Sequence, residues 1–158
     1  MRTKRATLVA CGLVATGALG ASVVSTEAQQ PGPPTGTLQL QQRDRDTTFR
    51  FIDVHTRRRA PAVGDGFVIT GALRDQAGTR MGRLQATFVF TNPRREQAEV
   101  SATFVLPSGR IMGSGADTKA RVDDFAVTGG TGSYTGARGT VRVTEHRRST
   151  TFLFTFLG

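Results

Sequence analysis

The chain has one cysteine, Cys11, in 158 residues. If the leader that contains it is removed, the mature protein has no thiol. Disulfides, a zinc–cysteine site and a cysteine nucleophile are then excluded together, and the fold must be held by its core. Tryptophan is absent, Tyr134 is the single tyrosine, and Lys119 is the single lysine beyond residue 28. Without a tryptophan or paired tyrosines there is no platform for stacking bases, and no helix carries a stripe of arginine, so nucleic acid is not an expected partner. His55 and His146 are too few and too isolated for a metal site, which wants three or four ligands at recognisable spacing, so no metal is expected. Glu145 and His146 are neighbours on a strand and point to opposite faces. A Ser-His-Asp set has no nucleophile elbow to support it. The glycine-rich stretch Thr128-Gly-Gly-Thr-Gly-Ser133 lacks the Lys-Ser/Thr and the helix that a phosphate-cradling loop needs.

The N-terminus does carry a long apolar run. Arg2, Lys4 and Arg5 precede the uncharged small and apolar stretch from Ala6 to Val24, and Thr26 and Ala28 supply small residues at the −3 and −1 positions of a cleavage site. Residues 1–28 therefore read as an export signal, and the mature protein as secreted or extracytoplasmic. Leu8-Val-Ala-Cys11 fits a lipobox by pattern but sits too early in the apolar run, so lipid anchoring at Cys11 is not expected. No later segment approaches the ~18 apolar residues of a membrane-spanning helix. Residues 29–42, with Pro31, Pro33 and Pro34 together with Gly32 and Gly36, read as an extended linker, and residues 43–158 as one domain.

Removing Arg2, Lys4, Arg5 and Glu27 from 21 basic and 12 acidic residues leaves 18 against 11. The excess is carried by arginine, with clusters at Arg57-Arg58-Arg59, Arg94-Arg95 and Arg147-Arg148. Such charge is either a solvated surface or the mark of a basic envelope protein that docks on an anionic polymer.

Within the domain, period-two alternation is nearly continuous and sustained helical periodicity is absent. It predicts eight strands, over 49–55, 66–73, 83–90, 100–106, 110–114, 122–127, 140–144 and 151–157, joined by turns such as Asp75-Gln-Ala-Gly78 and Asn92-Pro93. Eight short strands with brief turns predict an all-β protein, an antiparallel sheet closed into a barrel, which also removes exposed edges. In the last strand Phe152, Phe154 and Phe156 share one face and Leu153 and Leu157 the other. Either the outside is covered by another subunit, or the lumen is apolar and the outer face merely sticky.

Five glycines fall in the run Phe125-Ala-Val-Thr-Gly-Gly-Thr-Gly-Ser-Tyr-Thr-Gly-Ala-Arg-Gly139, which reads as a strand, a tight corner and a second strand. This run resembles a signature of the dirigent and allene oxide cyclase superfamily. Gly64-Asp-Gly-Phe-Val68, Leu73-Arg-Asp75 with Gly78 and Gly82, Leu106-Pro-Ser-Gly-Arg-Ile111 with Gly113 and Gly115, and the closing Phe152-Leu-Phe-Thr-Phe-Leu-Gly158 resemble further family segments, in the right order.

The resemblance implies an eight-stranded antiparallel calycin-like β-barrel with an apolar pocket. It implies an activity that needs no cofactor: a hydrophobic small molecule is bound and its cyclisation or stereoselective coupling is guided, by proximity and orientation. A non-catalytic carrier on the same barrel is the alternative. Family precedent also leans towards a homodimer or homotrimer. The implied catalytic residues are Asp53 and Arg138. Asp53 follows Phe-x-Phe as a family aspartate does, although Ile52 stands where the family usually has His. It lies either in the pocket, where burial would raise its pKa, or at the wet rim beside an arginine. Arg138, in the Ala-Arg-Gly triplet, either holds a ligand oxyanion or braces the corner. Tyr134 either donates to a ligand or packs under the loop. Phe51, Phe88, Phe104 and Phe154 are expected to line the pocket. Of Thr140 and Arg142 on one side and Val141 and Val143 on the other, one set faces the lumen, and the sequence leaves open which.

Overall fold

Alternation is visible in burial along β4 (Gln97–Leu106). Ala98, Val100, Ala102, Phe104 and Leu106 are buried, while the residues between them are more exposed. This is the pattern of a strand with one face on a core and one on solvent. The same period shapes the other strands of the computed structural model, which describes residues 32–54 and 60–158. They are β1 (Gly36–Ile52), β2 (Gly66–Arg74), β3 (Arg80–Asn92), β5 (Gly109–Asp117), β6 (Val122–Gly132), β7 (Gly139–His146) and β8 (Ser149–Phe156), with a 3-10 turn at Pro93–Arg95 between β3 and β4. Every strand is antiparallel to its neighbours, and the sheet closes in sequence order into the expected eight-stranded barrel. No α-helix occurs among the described residues, so none there is long and apolar enough to cross a membrane.

Closure depends on β1. Its first half pairs with β8, from Gly36 opposite Phe156 to Arg43 opposite Ser149; it pairs with β2 at Gln41 and Gln42, opposite Arg74 and Leu73, and again from Thr47 opposite Gly71 to Ile52 opposite Gly66. The register shifts between Gln42 and Thr47. There the Gln42 amide donates to the Thr47 hydroxyl, and that hydroxyl donates to the Arg43 carbonyl, each at 2.9 Å. A bulge of this kind adds bend and twist where one strand must serve two partners. The barrel thus opens at Gly36, earlier than the boundary at residue 43. Leu38 and Leu40 continue the period-two pattern into the core, so the C-terminal part of the expected 29–42 linker is strand. The expected export signal, Cys11, His55 and Arg57-Arg58-Arg59 lie outside the described residues.

The lumen is filled. Phe104, from β4, sits edge-on to Phe152 and Phe154 of β8, with ring centroids 5.1 and 4.8 Å away. Leu40, Leu73, Ile111, Val100 and Val141 complete the most deeply buried layer.

Candidate functional site

The two ends of this barrel are built differently. At one end lie the β2–β3, β4–β5 and β6–β7 connections and the C-terminus. Here β6 runs into the glycine corner. The Ser133 N–H donates to the Ser108 carbonyl, and the Tyr134 and Ala137 N–H groups bond back to Thr131 and Tyr134. Gly132 adopts φ +63°, which a side-chain-bearing residue takes at a cost. A Cβ on Gly130 would collide with the Tyr134 carbonyl. Tyr134 lies half-buried over Phe156, rings 6.1 Å apart, and its hydroxyl accepts a 3.4 Å bond from Ser108. With Ala137, Leu106 and Phe156 buried beside it, this end is closed by packing.

At the opposite end the β1–β2, β3–β4, β5–β6 and β7–β8 connections meet. Phe51 is the cross-strand partner of Phe67, and Phe67 of Phe88. Phe67 stacks on Phe88 at 4.4 Å and on Phe49 at 4.6 Å, and Phe90 tilts against it at 5.7 Å. Residues directly opposite across strands share a face, and Phe67 is buried, so all five rings belong to the inward side of β1–β3. Yet Phe49 is 58% exposed and Phe51 45%. Among the described residues no side chain covers these exposed inward rings, and an aromatic-lined surface of this kind is what a small apolar ligand requires. On the inward register across from them lies Asp117, linked through Ala98 to Phe90 in one rung. Asp117 accepts a bond from the Lys119 N–H at 2.9 Å, and Asp123 accepts one from the Thr118 hydroxyl at 2.8 Å.

The rim is held by Asp65, which is 1% exposed. Its carboxylate accepts from the Val54 N–H at 3.0 Å and the Ala62 N–H at 2.8 Å, so one side chain ties both limbs of the β1–β2 connection. Its carbonyl accepts from the Phe90 N–H and joins the connection to β3. The stretch Gly64-Asp-Gly carried a signal for this residue, since a short acid between glycines in a turn commonly bonds nearby backbone.

The expected site residues separate in space. Phe51 and Phe88 lie together at the open end, and Asp53, exposed just beyond β1, stands at the rim on the wet alternative. Tyr134 and Arg138 belong to the closed end. Arg138 is exposed, on the outward side of the alternation that buries Ala137 and Val141, and its carbonyl accepts from the Leu157 N–H. Asp53 and Arg138 therefore do not converge. Phe104 and Phe154 are packed in the middle of the core with no surface left for a ligand. They belong to core packing, because the central barrel layers must be filled by side chains. Phe49, Phe67 and Phe90 accompany Phe51 and Phe88 at the open end instead. Phe49 was signalled by its i, i+2 relation to Phe51. Val141 and Val143 face the core, and Arg142 points outward to Asp124, forming a two-pronged ion pair at 2.9 and 3.0 Å. That hydrogen bond holds the Asp124 carboxyl below its ordinary value and raises Arg142. Among the described residues no three acidic, histidine or cysteine side chains group as metal ligands.

Comparison with known proteins agrees with this architecture. A pyocyanin demethylase superposes with a TM-score of 0.65 at 21% identity, covering 77% of this chain and 100% of that one. The pterocarpan synthase dirigent protein PsPTS1 superposes at 0.60 with 15% identity, covering 78% and 96%. AbnU, an exo-specific intermolecular Diels-Alderase, superposes at 0.52 with 14% identity, covering 78% and 99%. At such identities the likeness is one of fold. No curated protein matches the sequence. The family model for Dirigent-like protein matches residues 38–155, which takes in the strands from β1 to β8 and the glycine corner, and the chain belongs to that family.

Proposed function

We propose that this is an exported dirigent-like barrel that receives a hydrophobic, ring-bearing small molecule at its open end and guides its cyclisation or coupling without a cofactor. The observation that carries the reading is the inward-facing group Phe49, Phe51, Phe67, Phe88 and Phe90, in which Phe49 and Phe88 stack on the buried Phe67 while Phe49 and Phe51 stay exposed, at one end of an otherwise filled barrel. Stacked rings favour a flat partner and restrict its orientation, and restricting a reactive molecule is itself a catalytic contribution. Proteins of the same fold include a pterocarpan synthase and a Diels-Alderase, which supports a role in ring formation. A carrier without turnover is the second reading, favoured by the separation of Asp53 from Arg138 across the length of the barrel.

Native mass spectrometry of the chain purified from its own host tests both. A bound aromatic molecule retained by the wild type and lost from Phe51→Ala supports the open-end site. Conversion of that molecule by the wild type, slowed in Asp53→Asn without loss of binding, selects catalysis over carriage. Retention unaffected by Phe51→Ala and Phe49→Ala together removes the open end from consideration.

A further inference from the structure

The outer wall of β1–β3 carries a feature that ligand binding at the open end does not use. Leu73 and Leu84 point into the core, so Arg74 and Arg83, one residue along, point out. Arg74 is the cross-strand partner of Arg80. Arg83 continues through Val105 to Arg110 in one outward rung. Four guanidinium groups thus share one side of the wall near the closed end. Asp46 is the acid among them, and Arg74 takes it, with a 3.0 Å ion pair and a 3.0 Å bond from Nε. The side chains of Arg80, Arg83 and Arg110 have no hydrogen-bond or ion-pair partner among the described residues.

Arg80 and Arg83 also stand between two concavities. One, about 380 Å³, adds the Arg74–Asp46 pair, the hydroxyls of Thr48 and Thr70 and the Gln85 amide. The other, about 440 Å³, has an apolar floor of Met81, Val105, Leu106 and Pro107. The contrast with Arg142 is instructive: that arginine, on another part of the wall, has its own aspartate. Arg80 and Arg83 remain uncompensated once Asp46 is taken by Arg74, so three guanidiniums against one carboxylate leave a local positive field, and their planar forks match oxyanion geometry. The apolar floor next to them suits the remainder of a ligand whose head is the anion.

We propose that the Arg74–Arg80–Arg83 cleft binds a phosphate group, either free or as the headgroup of an anionic phospholipid. The site is separate from the phenylalanine-lined end and stands whether or not that end binds a ligand. The test uses the purified chain in calorimetric titration with inorganic phosphate, and in co-sedimentation with phosphatidylglycerol or phosphatidylcholine vesicles, at two salt concentrations. The double variant R80A/R83A is compared with R94A/R95A, which removes the same charge from the exposed turn at the other end of the barrel.

The proposal expects saturable binding to phosphate, to phosphatidylglycerol vesicles, or to both. Binding should weaken about tenfold or more in R80A/R83A, as when charge-assisted hydrogen bonds are lost, and change by roughly twofold or less in R94A/R95A, as for a remote surface charge. Binding to inorganic phosphate alone identifies a small-anion site. Binding to phosphatidylglycerol alone, with none to phosphatidylcholine, identifies a lipid headgroup site. Equal weakening in the two double variants means that only net charge is being read and overturns the proposal, as does the absence of saturable binding to any probe.

Discussion

The open and closed ends of this barrel are made from similar residues put to opposite uses. At the closed end one aromatic, Tyr134, lies over another, Phe156, under a corner whose backbone is bonded to itself and to the neighbouring β4–β5 turn. At the open end five phenylalanines face inward, and Phe49 and Phe51 remain exposed, with no such corner over them among the described residues. Aromatic content alone therefore says little about a site. What distinguishes a pocket from a plug is whether the connection above the rings can pack down. Glycines allow that at one end through close backbone approach. At the other, Asp65 ties the limbs of a longer connection through its carboxylate.

The sharpest break in the comparison lies between the layer that joins the ends and the open end itself. Phe104→Ala or Phe154→Ala removes a ring at 1% or 0% exposure and leaves a cavity in the central layer. Either should cost about 3–5 kcal/mol in urea unfolding. Phe51→Ala removes a ring that is already 45% exposed, and should leave stability within about 1 kcal/mol while abolishing ligand retention. If Phe51→Ala instead destabilises as much as Phe104→Ala, the open end is core and not site.

Asp65→Ala tests how the open end is held. It strands two N–H donors on the β1–β2 connection and should cost about 2–3 kcal/mol, because the lost bonds are to a charged acceptor. Hydrogen exchange of Val54 and Ala62 should rise more than that of core amides. The matching change at the closed end is Gly130→Ala, whose new Cβ meets the Tyr134 carbonyl. It should cost about 1–3 kcal/mol through backbone displacement, with binding at the open end unchanged. Loss of binding in Gly130→Ala would mean that the ends are coupled through the core.

The barrel was legible in the sequence because its signal is local and repeated. Period-two burial in β4 and β8 follows from alternating side chains, and the turn residues bound each strand. The beginning of β1 was not legible, since the proline-rich stretch before Gly36 masks Leu38 and Leu40, which continue the alternation. The site was legible only in part. A strand pattern says which residues share a face but not their height along the barrel axis. Phe51, Phe104 and Phe154 all face inward, yet one lies at an opening and two in the packed middle. Height depends on the stagger between strands, which in turn depends on the bulge between Gln42 and Thr47. For the same reason Asp53 and Arg138, paired by family pattern, lie at opposite ends.

The smallest expected effect belongs to the outer wall, where neither end is involved. Asp124 and Arg142 are exposed and joined by two hydrogen bonds, which hold the Asp124 carboxyl below its ordinary value. A carboxyl whose pKa is lower in the folded chain contributes stability above its unfolded value, and that contribution fades as pH falls through the folded one. Wild type and Asp124→Asn should therefore differ slightly in Tm at neutral pH and converge as acid protonates the carboxyl. The raised Arg142 value adds nothing to this window, since arginine stays charged throughout it. Solvent screening keeps the difference small, and raising the salt concentration should shrink it further. A Tm difference as large as that of Asp65→Ala, or one that persists in acid, would mean that Asp124 bears on the packing of β6 against β7 and not merely on charge at the surface.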